Sequence, residues 1–305
     1  MQPGRAQNFF SLVSSDSKAI EFALSKGILR STASCPNCHR NMQISDHSGS
    51  IDGKCLRCHH CHTRTSIRHN TILESSKLSV REMLIFLYMW SQEHLISEIS
   101  EELGLSDVTM SRLTSKMRAA VDYDAKNVTH MIGGWAHVVE VDETQLSRKK
   151  HDMGRAIPCS DVWVVGGIDR HTGEIFLEKV PSRSGEVLMD VIKRHVIPWT
   201  EIHTDSWLGY NVLDKMGSQY VHLTVNHNKG YVDYETGAHT QNIERLWRDF
   251  KQKKKMQYGI FRRYVDSYCN EFVWRRNTLQ RGKDIFEATL ELVALCAWDE
   301  VSYFP

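Results

Sequence analysis

The sequence has no apolar run long enough to cross a membrane. Its longest, Met83-Leu-Ile-Phe-Leu-Tyr-Met-Trp90, falls far short of the roughly 18 residues a spanning helix needs. The N-terminus, Met1-Gln-Pro-Gly-Arg-Ala-Gln-Asn8, lacks the basic-then-apolar pattern of a secretory signal, so a reducing, intracellular setting is the expectation. Net charge is nearly absent too, at +1 over 305 residues, which alone argues neither for nor against a nucleic-acid partner. What remains is a 41% hydrophobic, 25% charged chain of ordinary globular composition, long enough for about two domains.

The charge is absent only in sum. Residues 30–81 hold eight Lys/Arg against three Asp/Glu, residues 82–144 four against eleven, and residues 245–263 eight against one. Two basic segments therefore flank an acidic one. The plain alternative is a set of solvated faces.

Five of the eight cysteines fall within 27 residues, in Cys35-Pro-Asn-Cys38 and Cys55-Leu-Arg-Cys58-His-His-Cys61. Two CxxC turns at this separation have the spacing of a zinc ribbon over residues 31–74, because each turn presents two thiolates to one tetrahedral ion. A disulfide pair is the alternative, which a reducing compartment disfavours. Cys55/Cys58 and Cys58/Cys61 both satisfy the motif, and His39, His59, His60 and His62 are further donors. One structural Zn²⁺ is expected.

Before the ribbon, residues 1–30 read as a helical lead-in stopped near Gly27. After it, Ser79-Val-Arg-Glu82 has the form of a capping box opening a helix with Leu84, Leu87 and Trp90 as apolar positions. Ser97–Leu103 reads as a short helix ended by Gly104, and Ser106 as the cap of another through Val121. Helix, glycine turn and helix over residues 75–128 suggest a helix-turn-helix, with Arg112 and Lys116 as candidate DNA contacts. Any αα-hairpin has the same pattern.

From residue 129 to 298 the texture turns to strands: Trp135–Asp142, Asp161–Ile168 and Glu174–Val180. A helix, Glu186–His195, comes next, then strand Glu201–Asp205, a helical stretch over 206–216, strand Tyr220–Val225 and a helix carrying Glu244. The order β-β-β-α-β-α-β-α is that of an RNase H-like α/β (α+β) fold. Asp142 then ends the first strand, Asp205 the fourth, and Glu244 lies on the helix after the fifth. Three such acids suit a pair of Mg²⁺ (or Mn²⁺) ions, which take hard oxygen ligands and act in in-line phosphoryl displacement. Asp142 would bridge the ions, with Asp205 and Glu244 on one each. Glu140 and Glu143 compete for the place of Asp142, and Asp233, Glu235, His239 and Asn242 for that of Glu244. A strand period of two puts Glu140 and Asp142 on one face. Trp207, Tyr210 and Trp247 read as core aromatics, with base stacking as the alternative.

Several stretches together resemble the Merlin superfamily of DDE transposases and their bacterial insertion-sequence relatives. They are Glu140-Val-Asp-Glu-Thr144, Arg148-Lys-Lys150 with Gly154-Arg155, Val165-Gly-Gly-Ile-Asp-Arg170, and His171-Thr-Gly173. Pro181-Ser-Arg-Ser184, His203-Thr-Asp-Ser-Trp207 and Val225-Asn-His227 belong to the same set. So do Thr236-Gly-Ala-His-Thr-Gln-Asn-Ile-Glu244, with Trp247 and Lys251, and Glu271-Phe-Val-Trp-Arg-Arg-Asn277. The resemblance covers residues 130–290 most specifically. It implies Asp142, Asp205 and Glu244 as the catalytic metal ligands, and Cys35, Cys38, Cys58 and Cys61 as the zinc ligands, with Cys55 as the alternative fourth. It implies a cut-and-paste transposase binding terminal inverted repeats and target DNA, working as a homodimer or larger homo-oligomer. A domesticated DNA-binding or regulatory protein, and an RNase H-like nuclease without strand transfer, are the alternatives. Arg148, Lys149, Lys150, Lys251, Lys253, Lys254 and Lys255 are the expected phosphate contacts, which position DNA without reading it. The expected location is the nucleus in a eukaryotic host and the cytoplasm or nucleoid in a bacterial one.

Overall fold

Two turns of matching construction hold the N-terminal cysteines. The computed structural model describes residues 5–128, 130–146, 162–228, 230–256, 262–296 and 298. In it the chain divides into one unit of Met1–Asp124 with Lys283–Pro305 and another of Ala125–Gly282. The first unit opens with α1 (Arg5–Leu12) and α2 (Asp16–Ser25), two short helices in place of one lead-in, separated where the Ser15 side chain caps α2. An antiparallel sheet follows in the order β1 (Thr32–Ser34), β2 (Asn41–Asp46), β3 (Lys54–Arg57), β4 (Arg64–Ser66). Each CxxC turn joins two of these strands. The Cys35 amide donates to the Arg40 carbonyl and the Cys58 amide to that of Thr63. The residue after each turn, His39 and His62, takes a left-handed φ of 59° and 60°. These two histidines therefore close turns.

The capping box at Ser79 and Glu82 forms as read, opening α3 (Val80–Ser91). Next, α4 (Ile96–Leu103) ends on Gly104 at φ 60°, a left-handed stop that glycine adopts without a Cβ clash. Ser106 Oγ accepts from the Thr109 amide at the head of α5 (Asp107–Asn127), which runs six residues past the expected end. The C-terminal helix Ile285–Leu295 groups with this unit, although its residues read as part of the catalytic domain. Its Phe286 ring packs edge-on against Phe9 and Tyr88, which stack at 4.5 Å. That aromatic cluster is the physical reason for the grouping, and a local reading of the sequence does not contain it.

The second unit is an RNase H-like α/β fold. Its elements are β5 (Ile132–Gly133), β6 (Val138–Gln145), β7 (Trp163–Asp169), β8 (Ile175–Val180), α6 (Gly185–His195), β9 (Val196–Ile197), β10 (Glu201–Asp205), β11 (Val221–Val225), α7 (Gln241–Met256) and α8 (Val265–Gln280). The main sheet has the order β11-β10-β6-β7-β8, with β6, β7 and β8 antiparallel and β10 and β11 parallel to β6. Alternation along β6 sorts its side chains between two cores. Val139 and Val141 face Leu188, Ile192 and Tyr210; the helices α7 and α8 build the second core with Val164, Ile168 and Leu177. The first strand differs from its expected bounds. Ala136 at φ 64° and an exposed Trp135 form a turn, and β6 continues to Gln145, so Asp142 lies within the strand and does not end it. The small β5–β9 pairing was not legible as strand. No helix among the described residues is long and apolar enough to cross a membrane.

Candidate active site and cysteine cluster

Strand pairing brings the first two acids together. Where β10 runs beside β6, Glu201 pairs with Val138 and His203 with Glu140, so Asp205 continues toward the level of Asp142. Burial, then the charges of Glu143 and Asp205, push the Asp142 carboxyl up from 3.8 to about 7. Glu143 is raised as well, first by burial and then by Asp205 among its neighbours. A cluster of acids that oppose one another's ionisation is the donor set that a divalent cation stabilises.

Asp142 is held from above by α7. The Trp247 indole donates to Asp142 Oδ2 at 2.9 Å. That approach is possible because Asp142 pairs across the sheet with Gly166. A Cβ on Gly166 would come within 2.7 Å of the Trp247 ring and of Leu177. The glycine of the Val165-Gly-Gly motif thus makes room for the indole that orients Asp142. Glu244 lies three residues before Trp247, one helical turn away on the same side of α7. It is exposed, with its carboxylate 3.5 Å from His227 Nε2. Among the described residues the three acids do not form a group with ligand atoms all within 4.8 Å. The cysteine cluster does, and so does His137–Asp169–His171.

Glu140 takes a role of its own. Its carboxylate is fully buried. Oε1 accepts from Arg170 Nε at 2.6 Å and Asn242 Nδ2 at 2.7 Å. Oε2 accepts from the Asn242 and Ile243 amides at 2.8 and 3.0 Å. It therefore caps the N-terminus of α7, where free amides and the helix dipole favour a negative group. Arg170 also donates to the His239 carbonyl and to His203 Nδ1, which makes Nδ1 the bare ring nitrogen and leaves Nε2–H to meet Glu201 Oε1 at 2.7 Å. The strand-period signal put Glu140 on the face of Asp142, but its partners lie 30 to 103 residues away and had no sequence signal.

Of the expected cysteines, Cys35, Cys38, Cys58 and Cys61 come together, with Sγ–Sγ distances of 3.3 Å for Cys35–Cys61 and 3.4 Å for Cys38–Cys58. Four thiols converging from two turns fit a tetrahedral ion. Cys55 sits within β3, buried opposite Ser66, outside this group. The histidine cluster that sequence reading missed centres on the buried Asp169. Its carboxylate meets His137 Nδ1 at 2.7 Å and also accepts from the His171, Thr172 and Gly133 amides; it closes the Arg170–Gly173 turn.

The candidate DNA contacts divide. Arg112 and Lys251 are exposed, and Lys253 is half-buried over the Phe272 ring. Lys116 is a correction. Its ammonium is buried and donates to the Ile72 carbonyl at 2.7 Å and that of Glu74 at 3.3 Å; burial lowers its pKa. It ties α5 to the segment after the ribbon and is not offered to DNA. Arg148, Lys149 and Lys150, and the side chains of Lys254 and Lys255, lie outside the described residues.

The family match falls within the second unit. Residues 133–277 match the family described as ISXO2-like transposase domain. A protein of Haemophilus influenzae described as an uncharacterized transposase-like protein is 26% identical over 104 residues, 34% of this chain and 81% of that protein. Among solved structures, the HTLV-2 integrase catalytic core domain in complex with magnesium is similar at 12% identity and a TM-score of 0.30. The likeness covers 46% of this chain and 84% of that one. For the BIV integrase catalytic core domain the figures are 15%, 0.26, 52% and 82%. The fold assignment rests on strand order and not on these superpositions. Both matches are to transposase-like sequences, and neither singles out the Merlin superfamily.

Proposed function

We infer that the protein is a DDE transposase that binds the terminal inverted repeats of its element and carries out metal-dependent strand cleavage and strand transfer by a cut-and-paste route. The observation that carries this reading is Asp142, oriented by Trp247 and pushed up to about 7 at one end of the sheet with Asp205 beside it. Three carboxylates, Asp142, Asp205 and Glu244, supply the oxygen donors that two Mg²⁺ ions take. When bound, the ions supply positive charge to the attacking and leaving oxygens. The chain's own residues do the positioning. Trp247 fixes the Asp142 carboxylate, Glu140 anchors the helix that carries Glu244, and Lys251 lies two turns further along that helix. The nucleophile is water in the cleavage step and the freed 3′-hydroxyl in the joining step, so no covalent enzyme intermediate is required.

In this reading the four-cysteine cluster holds one structural Zn²⁺. The ribbon and the α4–α5 pair, with Arg112 exposed, recognise the repeat, and two copies of the chain process two ends. Metal analysis of the full chain after reducing purification should find about one zinc per chain. Its absence would remove the ribbon's metal.

The catalytic reading is tested with duplex DNA carrying the inverted repeat that flanks the gene. Asp205→Ala should bind that DNA as the unsubstituted chain does and lose Mg²⁺-dependent cleavage by about 10³-fold or more. Undiminished cleavage would sink the assignment, and binding without cleavage by the unsubstituted chain would favour a domesticated DNA-binding role.

A further inference from the structure

The acidic end of the sheet carries one cation whose setting the reading above does not use. Arg183 lies two residues before α6, with its guanidinium carbon 4.8 Å from the Trp163 ring and 3.9 Å from the Trp207 ring. Its Nη1 donates to Glu143 Oε1 at 3.4 Å, and the other Glu143 oxygen accepts from the Tyr210 hydroxyl at 2.8 Å. Glu143 follows Asp142 in the chain, and the Trp207 amide donates to Asp205 Oδ1 at 2.9 Å. Arg183 and Trp207 are therefore tied to Glu143, the neighbour of Asp142, and to Asp205 itself.

A plain counter-ion to Glu143 would give a different geometry. A charge-assisted pair closes to about 2.7–2.9 Å and, with arginine, is commonly bidentate. Here a single long contact is the one hydrogen bond Arg183 makes among the described residues. A guanidinium has five N–H donors in a planar fork, so most remain open. The side chain is 39% exposed, whereas that of Glu143 is 4% exposed. Two indole rings, 4.8 and 3.9 Å from the guanidinium carbon, restrict the fork, which removes in advance much of the rotamer entropy that a long side chain loses on binding. An anion with two oxygens in one plane is the complement of such an edge, and a phosphodiester provides that pair in its non-bridging oxygens. The neighbouring acids add a reason. Asp142, Glu143 and Asp205 repel a polyanion, so a fixed positive group beside them offsets that repulsion where the strand must come closest.

We propose that Arg183 is a phosphodiester-binding residue, its fork held by Trp163 and Trp207 to take a backbone phosphate of the DNA strand entering the acidic site. The proposal rests on the transposase reading for the identity of its ligand. Trp163 and Trp207 act as positioning residues in it.

The test measures binding of the full chain to a fluorescent DNA duplex of arbitrary sequence across a salt series, without divalent metal. The set comprises the unsubstituted chain, Arg183→Gln, Glu143→Gln and the double variant, with thermal melting to establish that each folds. Arg183→Gln should weaken binding about tenfold at low salt, and the log–log salt slope should fall by about one, the signature of one lost phosphate contact. The double variant, which leaves no unpaired charge, should lose the same slope, and Glu143→Gln alone should keep it. A double variant with unsubstituted affinity and slope would overturn the proposal and leave Arg183 as a counter-ion. Failure of the transposase reading is separate, because it appears as absent Mg²⁺-dependent cleavage by the unsubstituted chain, whatever the salt slope shows.

Discussion

Glu140→Gln should destabilise the second unit by about 3–5 kcal/mol, the cost of breaking a buried ion pair by removing one partner. All four acceptor positions of the carboxylate are filled: Arg170 and the Asn242 side chain on one oxygen, the Asn242 and Ile243 amides on the other. Glutamine has the same shape, but either amide flip aims an NH₂ group at two donors. One pair of bonds is lost, the partly buried Arg170 is left without its counter-charge, and the first turn of α7 loses its anchor. Urea unfolding followed by tryptophan fluorescence reads the loss directly. Cleavage should fall further than the folded fraction accounts for, since Glu244 sits on the turn set free. A loss below about 1 kcal/mol would mean that α7 is held by its apolar face alone, through Ile243, Leu246 and Phe250.

Asp142→Asn should do the reverse to stability while abolishing activity. The Asp142 carboxyl is raised from 3.8 to about 7, first by burial and then by Glu143 and Asp205. A folded pKa above the unfolded value means that folding favours the protonated form. The contribution is fully present below about pH 4 and is lost as pH rises through about 7. At about pH 8 and without divalent metal, the ionised carboxylate therefore costs the fold about 2–4 kcal/mol, at 1.36 kcal/mol per unit and with allowance for partial exposure. Asparagine keeps the acceptor for the Trp247 indole and removes the charge. Its melting temperature in EDTA at about pH 8 should exceed that of the unsubstituted chain, and the gap should close toward about pH 4. Added Mg²⁺ should raise the melting temperature of the unsubstituted chain more than that of the variant, because binding to the folded state is linked to its stability. An unchanged melting temperature at about pH 8 would mean that Asp142 carries no stored repulsion.

Much of this arrangement was legible from local chemistry, and its limits have particular causes. The capping box at Ser79 formed because both partners lie within one turn of each other. The strands β7, β8, β10 and β11 appeared near their expected places because β-branched residues bounded by turns carry a local signal. The start of β6 failed because alternation in Trp135-Ala-His-Val looks extended, while Ala136 takes a left-handed turn that its residue type does not announce. Lys116 failed for a different reason. It lies three residues after Leu113 and four before Ala120, on the buried side of α5, so counting its charge without its helical position mistook an internal tether for a surface contact. The cap made by Glu140 joins segments 102 residues apart, and only the fold brings them together. Gly166 was visible as part of a motif, but its purpose became clear only with the indole of Trp247 lying over it.

The most direct measurement exchanges one oxygen ligand for sulfur. Asp205→Cys should lose terminal-repeat cleavage in Mg²⁺, which binds hard oxygen donors, and regain a measurable fraction of it in Mn²⁺, the more sulfur-tolerant ion. That switch requires the side chain at position 205 to touch the metal used in cleavage. Cleavage by Asp205→Cys in Mg²⁺ at the unsubstituted rate would contradict the account.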